Sequence, residues 1–158
     1  MDDPKRRDLL FFFPAFIAWL LAFLIPSFWN LQTPLYTLKT PTDVAGTSLF
    51  IAGLLIRVAA QATLKRNYSG TLRIRDGHTL ITHGIYSHVR HPVYTGVLLS
   101  ALAIPIYTTS LPGLLLALTG IPLFNHRIGN EEKMLIQEYG DQYTEYMKTT
   151  PKLIPRIH

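Results

Sequence analysis

The sequence predicts an all-α, polytopic membrane protein, a helical bundle with about four transmembrane helices. Of the 158 residues, 48% are hydrophobic and only 16% are charged. The apolar residues form long runs that alternate with basic segments. Polar residues form two strips, one at each end of a short apolar hairpin. Because charged groups are costly at membrane depth, such strips usually line a site.

The first predicted span covers residues 9–28, which are 20 residues without a charge. That length crosses a hydrocarbon core of roughly 30 Å. The basic residues before it resemble the start of a signal peptide, but its length favours a retained anchor. The second span covers residues 44–64 and carries one charge, Arg57. Arg57 lies about 10 Å from the end of this span, where it either snorkels to the interface or enters a polar cavity.

A hairpin is predicted from two shorter apolar stretches, residues 92–107 and 111–124, which a Thr-Thr-Ser turn joins. Each is short for a full span at about 1.5 Å per residue, so the hairpin tilts little, thins the bilayer or dips only part way. Pro92 suits the first turn of a helix, because its missing N–H costs nothing there. Kinks or helix ends are expected at Pro105, Pro112 and Pro122.

After the hairpin, an amphipathic helix is predicted over residues 127–139, with a break at Gly140 and a continuation to Lys148. The chain thus divides into residues 1–64, which hold two N-terminal transmembrane helices, and residues 65–158. The second part contains a basic loop, the hairpin and the C-terminal helix, and we expect the loop and this helix to form the site. The aromatic residues Trp19, Trp29, Tyr139, Tyr143 and Tyr146 are interpreted as parts of an interfacial belt.

The distribution of basic residues predicts the orientation. With four helices, thirteen Lys and Arg residues fall on one side of the membrane and one, Lys39, falls on the other. By the positive-inside rule, both termini, the loop at residues 65–90 and the site are cytoplasmic. Anionic headgroups then explain the net charge of +5, and no nucleic-acid partner is needed.

No metal site is predicted. The chain has no cysteine, which excludes disulfides, thiolate ligands and a cysteine nucleophile. Histidines stand at positions 78, 83, 88 and 91, but this spacing is irregular and lacks the tight pairs of zinc sites.

The two polar strips carry the candidate functional residues. The first, residues 84–96, holds two His, one Arg and two Tyr, and the second runs from Arg127 to Glu132. Arg127 and Glu131 share a helix face, as a surface ion pair would, whereas Glu132 points about 100° away from Glu131. Two adjacent acids at the mouth of a hairpin suit a cationic or polyol ligand, which favours a functional interpretation. The two strips can converge on one pocket at the membrane surface.

These residues resemble a known family. The motif Arg90-His91-Pro92-Val93-Tyr94-Thr95-Gly96, followed after a short hairpin by Glu131-Glu132, is similar to that of the isoprenylcysteine carboxyl methyltransferases. The similarity extends over roughly residues 65–155, the catalytic half of the family. Phospholipid N-methyltransferases share this combination, as do, more distantly, some membrane sterol reductases.

The resemblance implies S-adenosylmethionine as methyl donor. Arg127 would meet a substrate carboxylate, and Arg127 and Glu132 are the expected catalytic residues. The acceptor would be a lipid or a lipidated molecule reached from the bilayer, while the cofactor enters from the cytoplasm. The cofactor contacts that the resemblance implies are His78, Thr79, Leu80, Ile81, Tyr86, His91, Pro92, Val93, Tyr94 and Glu131.

Methyl transfer to an ionised carboxylate needs alignment and desolvation but no general base, and a guanidinium can hold the carboxylate bidentately. Two other functions stay open. In a phospholipid or other amine N-methyltransferase, Glu132 or His91 would deprotonate an ammonium. The alternative of another class is a nicotinamide-dependent membrane reductase. A non-catalytic scaffold would leave the many matched polar residues unexplained.

Overall fold

The computed structural model describes residues 38–64 and 79–155, together with residues 16–17, 19–21 and 24–25. Every regular element in these ranges is helical, so the all-α prediction is confirmed for them. Most of the first predicted span lies outside the described residues. In chain order the elements are α1 Pro41–Leu64, a 3₁₀ helix Gly84–Ser87, α2 Pro92–Tyr107, α3 Leu111–Leu118, α4 Gly120–Tyr139 and α5 Asp141–Thr149.

Among the described helices, α1 is the one long and apolar enough to cross a bilayer, by length and composition. It matches the second predicted span, whereas the count of four spans stays a prediction. A reciprocal cap starts the helix: Thr40 Oγ1 accepts the N–H of Asp43 at 3.1 Å, and Asp43 Oδ2 accepts the N–H of Thr40 at 2.9 Å. Arg57 is exposed on this helix, which favours snorkelling over insertion into a polar cavity.

Close glycine contacts hold α1 against α2. A Cβ added to Gly46 would lie 2.7 Å from Cβ of Tyr107, and one added to Gly53 would lie 2.7 Å from the carbonyl oxygen of Gly96. Because the start of α1 meets the end of α2, the two helices are antiparallel. Small residues of this kind let helix backbones approach closely, as in membrane bundles. The C-terminal end of α1 therefore lies beside the start of α2, where the polar residues are.

The predicted hairpin arm at residues 111–124 is not one helix, and the structure divides it into α3 and α4. Trp19 Nε1 donates a hydrogen bond to the carbonyl oxygen of Leu116 at 3.1 Å, and the N–H of Thr119 donates to the same oxygen at 3.1 Å. In a continuous helix this oxygen would accept the N–H of Gly120. An inserted side-chain donor of this kind interrupts the helical ladder, which explains the break.

Trp19 belongs to the core and not to an interfacial belt, so that interpretation is wrong for this residue, and Trp29 lies outside the described residues. It is 7% exposed and forms a core with Ala101, Ala117 and Phe124. The rings of Trp19 and Phe124 meet edge to face at a centroid distance of 5.6 Å. The ring of Tyr94 lies 5.7 Å from Phe124 on the way to the polar strips, so the apolar core supports the site directly.

The amphipathic helix begins earlier than predicted, at Gly120 and not at Arg127. One helix, α4, therefore carries both the apolar end of the hairpin and the second polar strip. Pro122 lies in its first turn, where proline is tolerated. The predicted break at Gly140 is confirmed: its φ of 54° lies in the left-handed region that glycine adopts readily.

Candidate active site

The N-terminal end of α2 meets the middle of α4, so the two polar strips lie against each other. His91 stands directly before Pro92, which begins α2. Tyr94 follows within the first turn of α2, while Arg127, Glu131 and Glu132 lie on α4. The structure thus places these predicted residues in one cluster. The cluster has a buried part around Glu132 and a more open part around Glu131.

Glu132 is the centre of the buried part. Its Oε1 lies 2.8 Å from Nη2 of Arg90, 3.1 Å from Nε of Arg90 and 3.2 Å from Nε2 of His91. Its Oε2 lies 3.5 Å from Nζ of Lys152. Burial alone would raise the pKa of Glu132, but the hydrogen bonds from His91 and Arg90 outweigh it and lower the pKa to about 2. Glu132 is therefore ionised at neutral pH, and both of its carboxylate oxygens lie beside partner side chains.

Glu131 is the more open acid. Its side chain is 27% exposed, three times as much as the 9% of Glu132. The hydroxyl of Tyr94 donates to Glu131 Oε2 at 2.9 Å, while Glu131 Oε1 lies 3.9 Å from Nδ1 of His91. Arg127 is buried and interacts with the same Tyr94 hydroxyl. Tyr94 thus connects the cation and the acid that share one face of α4.

Arg90 ties the end of the chain to this cluster. Its Nη1 donates to the carbonyl oxygens of Met147, at 3.0 Å, and of Thr150. Its backbone N–H donates to Pro151 at 2.9 Å, and the N–H of His91 donates to Lys152 at 3.1 Å. Residues 147–152 are thus held across the start of α2 by both side-chain and backbone bonds, and we call them the C-terminal strap.

The tyrosines of α5 are inside the molecule, which corrects the belt interpretation for Tyr143 and Tyr146. They are 2% and 9% exposed, and their rings are 5.9 Å apart. The hydroxyl of Tyr146 donates to the carbonyl oxygen of Tyr86, and burial raises its pKa to about 12. Tyr86 is buried as well, so α5 fixes the 3₁₀ helix that precedes the site.

The other predicted contacts lie in the segments before and at the start of α2. Thr79 is exposed and Leu80 and Ile81 are half-buried in the irregular run before the 3₁₀ helix. Pro92 is buried and Val93 half-buried at the start of α2. His78 lies outside the described residues. Within the described part of the chain, no group of three or more His, Asp or Glu side chains could hold a metal ion.

Three residues of the site were not among the predicted contacts: Arg90, Tyr143 and Lys152. Arg90 had a visible signal, since it stands inside the motif next to His91. Tyr143 stands at helical spacing with Tyr139 and Tyr146, a pattern that the family shares, whereas Lys152 has no signal, because only the folded chain brings the strap to the acids. Lys152 reaches both Glu132 and, at 3.2 Å, the side-chain oxygen of Asn125.

The donor set fits S-adenosylmethionine. Glu131 is partly exposed and keeps acceptor capacity for the amino and hydroxyl groups that this cofactor carries. Tyr143 supplies a buried hydroxyl that has no hydrogen-bond partner among the described residues. The acceptor oxygens of Glu131 suit the cationic and polyol character of the cofactor. The buried hydroxyl of Tyr143 needs a hydrogen-bond partner, which a bound cofactor would supply.

The sequence matches the isoprenylcysteine carboxyl methyltransferase family over residues 46–137. Protein-S-isoprenylcysteine O-methyltransferase of Homo sapiens is 32% identical over 146 residues, which are 90% of this chain and 50% of the human protein. The B form of Arabidopsis thaliana is 30% identical over 116 residues, which are 72% of this chain and 59% of the plant protein. The chain therefore spans about half the length of these relatives.

The fold is also that of a solved structure, the eukaryotic intramembrane Ras methyltransferase. The two match with a TM-score of 0.71 at 24% identity, over 99% of this chain and 55% of the other. The family match covers more than half of the chain and includes both polar strips, from α1 to the two acids of α4. The chain belongs to the isoprenylcysteine carboxyl methyltransferase family.

Proposed function

We propose that the chain is an integral membrane enzyme that moves a methyl group from S-adenosylmethionine to the carboxylate of a lipidic acceptor. One observation carries this proposal: Tyr94 connects the open acid Glu131 with the buried cation Arg127. A site for methyl transfer to a carboxylate needs both groups side by side, an acid for the cationic donor and a cation for the anionic acceptor.

The cofactor supplies an electrophilic methyl group when it is bound. Glu131 would hold its amino or hydroxyl groups, with Tyr94 and His91 fixing the carboxylate in place. Residues 79–81, Tyr86, Pro92 and Val93 would line its approach, and His78 stays a predicted contact. The backbone of residues 79–81 has irregular structure, so its polar groups can face a ligand.

Arg127 would hold and orient the acceptor carboxylate. A carboxylate is ionised at neutral pH, so the site needs no general base for this acceptor. Arg127 is buried and contacts the Tyr94 hydroxyl, so an acceptor carboxylate held by its guanidinium would be shielded from water. The rate enhancement would come from alignment and desolvation.

We propose a positioning role for Glu132 in place of the expected catalytic one. Its Oε1 is occupied by Arg90 and His91, and its pKa of about 2 makes it a poor base. An amine N-methyltransferase would need a free base to deprotonate an ammonium, and the other candidate base, His91, has its Nε2 3.2 Å from the same Glu132 oxygen. The carboxylate acceptor is therefore the better match, and an acceptor of this type would enter from the bilayer beside α1 and α2.

The experiment is calorimetry on the full chain in lipid nanodiscs with S-adenosylmethionine, its demethylated product and a reduced nicotinamide cofactor. We expect micromolar affinity for the first two and none for the third. The same preparation, with labelled S-adenosylmethionine, should label the base-labile methyl-ester fraction of host membranes. Binding of the nicotinamide alone would favour the reductase, and label confined to amine headgroups would favour the N-methyltransferase.

A further inference from the structure

The hydroxyl of Tyr143 is an unexplained polar group. The side chain is 2% exposed, and its oxygen has no hydrogen-bond partner among the described residues. Burying a hydroxyl without a partner destabilises the folded protein, because the group loses its hydrogen bonds to water. Its neighbour on α5, Tyr146, shows the usual solution, because its hydroxyl donates to the carbonyl oxygen of Tyr86. A phenylalanine would fill the position of Tyr143 without that cost.

The groups around Tyr143 are those of the site. The charges of Glu132, Arg90 and Glu131 all act on its hydroxyl. Glu132 and Arg90 are already bonded to each other at 2.8 Å. Glu131 accepts from Tyr94. These groups bond to one another and to Tyr94, and none of them bonds to Tyr143, so its hydroxyl is left beside them with its hydrogen-bonding capacity unused.

We propose that the Tyr143 hydroxyl is a ligand contact, which donates a hydrogen bond to a neutral oxygen of the bound nucleoside cofactor. This inference rests on the proposed function and extends its cofactor site to α5. Burial raises the pKa of Tyr143, so the hydroxyl stays protonated and can donate. Glu131 and Glu132 both act on this hydroxyl, so a neutral ribose oxygen suits the position better than the negatively charged carboxylate of the cofactor.

The test compares Tyr143→Phe with the wild-type chain in nanodiscs. Removing an unpaired buried hydroxyl should leave the unfolding temperature equal or higher, because the variant no longer buries an unsatisfied group. Affinity for the demethylated cofactor should fall about threefold to tenfold, the effect of one lost hydrogen bond. Tyr146→Phe is the matched control: it removes a paired hydroxyl of α5 and should lower the unfolding temperature.

A second probe locates the contact on the ligand. Methylthioadenosine keeps the ribose and lacks the amino-acid end, so Tyr143→Phe should weaken its binding by the same factor. A loss seen only with the full demethylated cofactor would overturn the ribose assignment. Equal binding by wild type and Tyr143→Phe, or a lower unfolding temperature of this variant, would overturn the inference while leaving the proposed function intact. Absence of cofactor binding by the wild type would overturn both.

Discussion

Arg90 and Glu132 form a buried ion pair, with Nη2 and Oε1 2.8 Å apart and side chains 8% and 9% exposed. The two residues come from different elements, the turn before α2 and the middle of α4. The same guanidinium also bonds to the carbonyl oxygens of Met147 and Thr150. Removing one member of such a pair leaves a buried charge without compensation, which is far more costly than losing a surface pair.

Glu132→Gln should therefore destabilise the protein at neutral pH by roughly 3 kcal/mol. The folded-state pKa of about 2 lies below the ordinary value of 4.5. The stabilisation from Glu132 is then complete above about pH 4.5 and is lost as the pH falls toward 2. We expect the difference in thermal unfolding between wild type and Glu132→Gln to shrink over that interval.

The control for this change is Glu145→Gln. Glu145 lies 2.6 Å from Nζ of Lys148, but the two side chains are 69% and 64% exposed. Its replacement should change stability by less than about 0.5 kcal/mol at pH 7, because exposed pairs contribute little. Equal effects of the two substitutions at pH 7 would show that the buried pair has no special role.

Substitutions of Arg127 and of Glu131 should impair different steps, acceptor turnover for the first and cofactor binding for the second. Glu131→Ala should weaken cofactor binding, because it removes the open acid of the site. Arg127→Ala should leave cofactor affinity largely intact and reduce acceptor turnover, and Arg127→Lys should restore only part of it, because an ammonium lacks the planar fork. Calorimetry and turnover measured for each variant decide the matter. A fully active Arg127→Ala would mean that the acceptor is not a carboxylate.

Gly96→Ala should destabilise the bundle by about 1–3 kcal/mol. A Cβ at this position would lie 2.5 Å from the carbonyl oxygen of Gly53, a backbone atom that cannot move aside. Gly129→Ala is the matched control, since nothing lies within 4 Å of a Cβ added there. Within α4 it should stabilise by up to about 1 kcal/mol, because alanine is the better helix former. Thermal unfolding of the two variants should therefore shift in opposite directions.

The orientation can be tested with reporter fusions. A reporter at His158 and one inserted at Lys39 should lie on opposite sides of the membrane, with His158 in the cytoplasm. The physical reason is the uneven distribution of Lys and Arg along the chain. If both reporters respond on the same side, an even number of crossings separates the two positions and the four-helix topology is wrong.

Much of this architecture was predictable from local patterns. Apolar runs and their spacing predicted the helical class, and the break at Gly140 followed from glycine alone. The meeting of the two polar strips followed from their positions at the ends of one hairpin. In each case neighbouring residues carry the information, because helix ends and hairpins are decided within a few turns of chain.

The rest depends on distant contacts. The division between α3 and α4 is linked to Trp19, whose indole donates to a carbonyl 97 positions away in the sequence. The strap is held through backbone carbonyls, which have no signature in the residue types. The burial of Tyr143 and Tyr146 likewise depends on what α5 packs against. A tyrosine at helical spacing looks the same in a membrane belt and in a core.

The strap also bears on the order in which the buried cluster can form during synthesis. During synthesis, α1 to α4 emerge before residues 147–152, so Arg90 is made before the carbonyl groups that engage it. Until residues 147–152 leave the ribosome, Arg90 lacks the carbonyl groups of Met147, Thr150 and Pro151. The buried guanidinium therefore reaches its full set of partners only after translation has passed the strap.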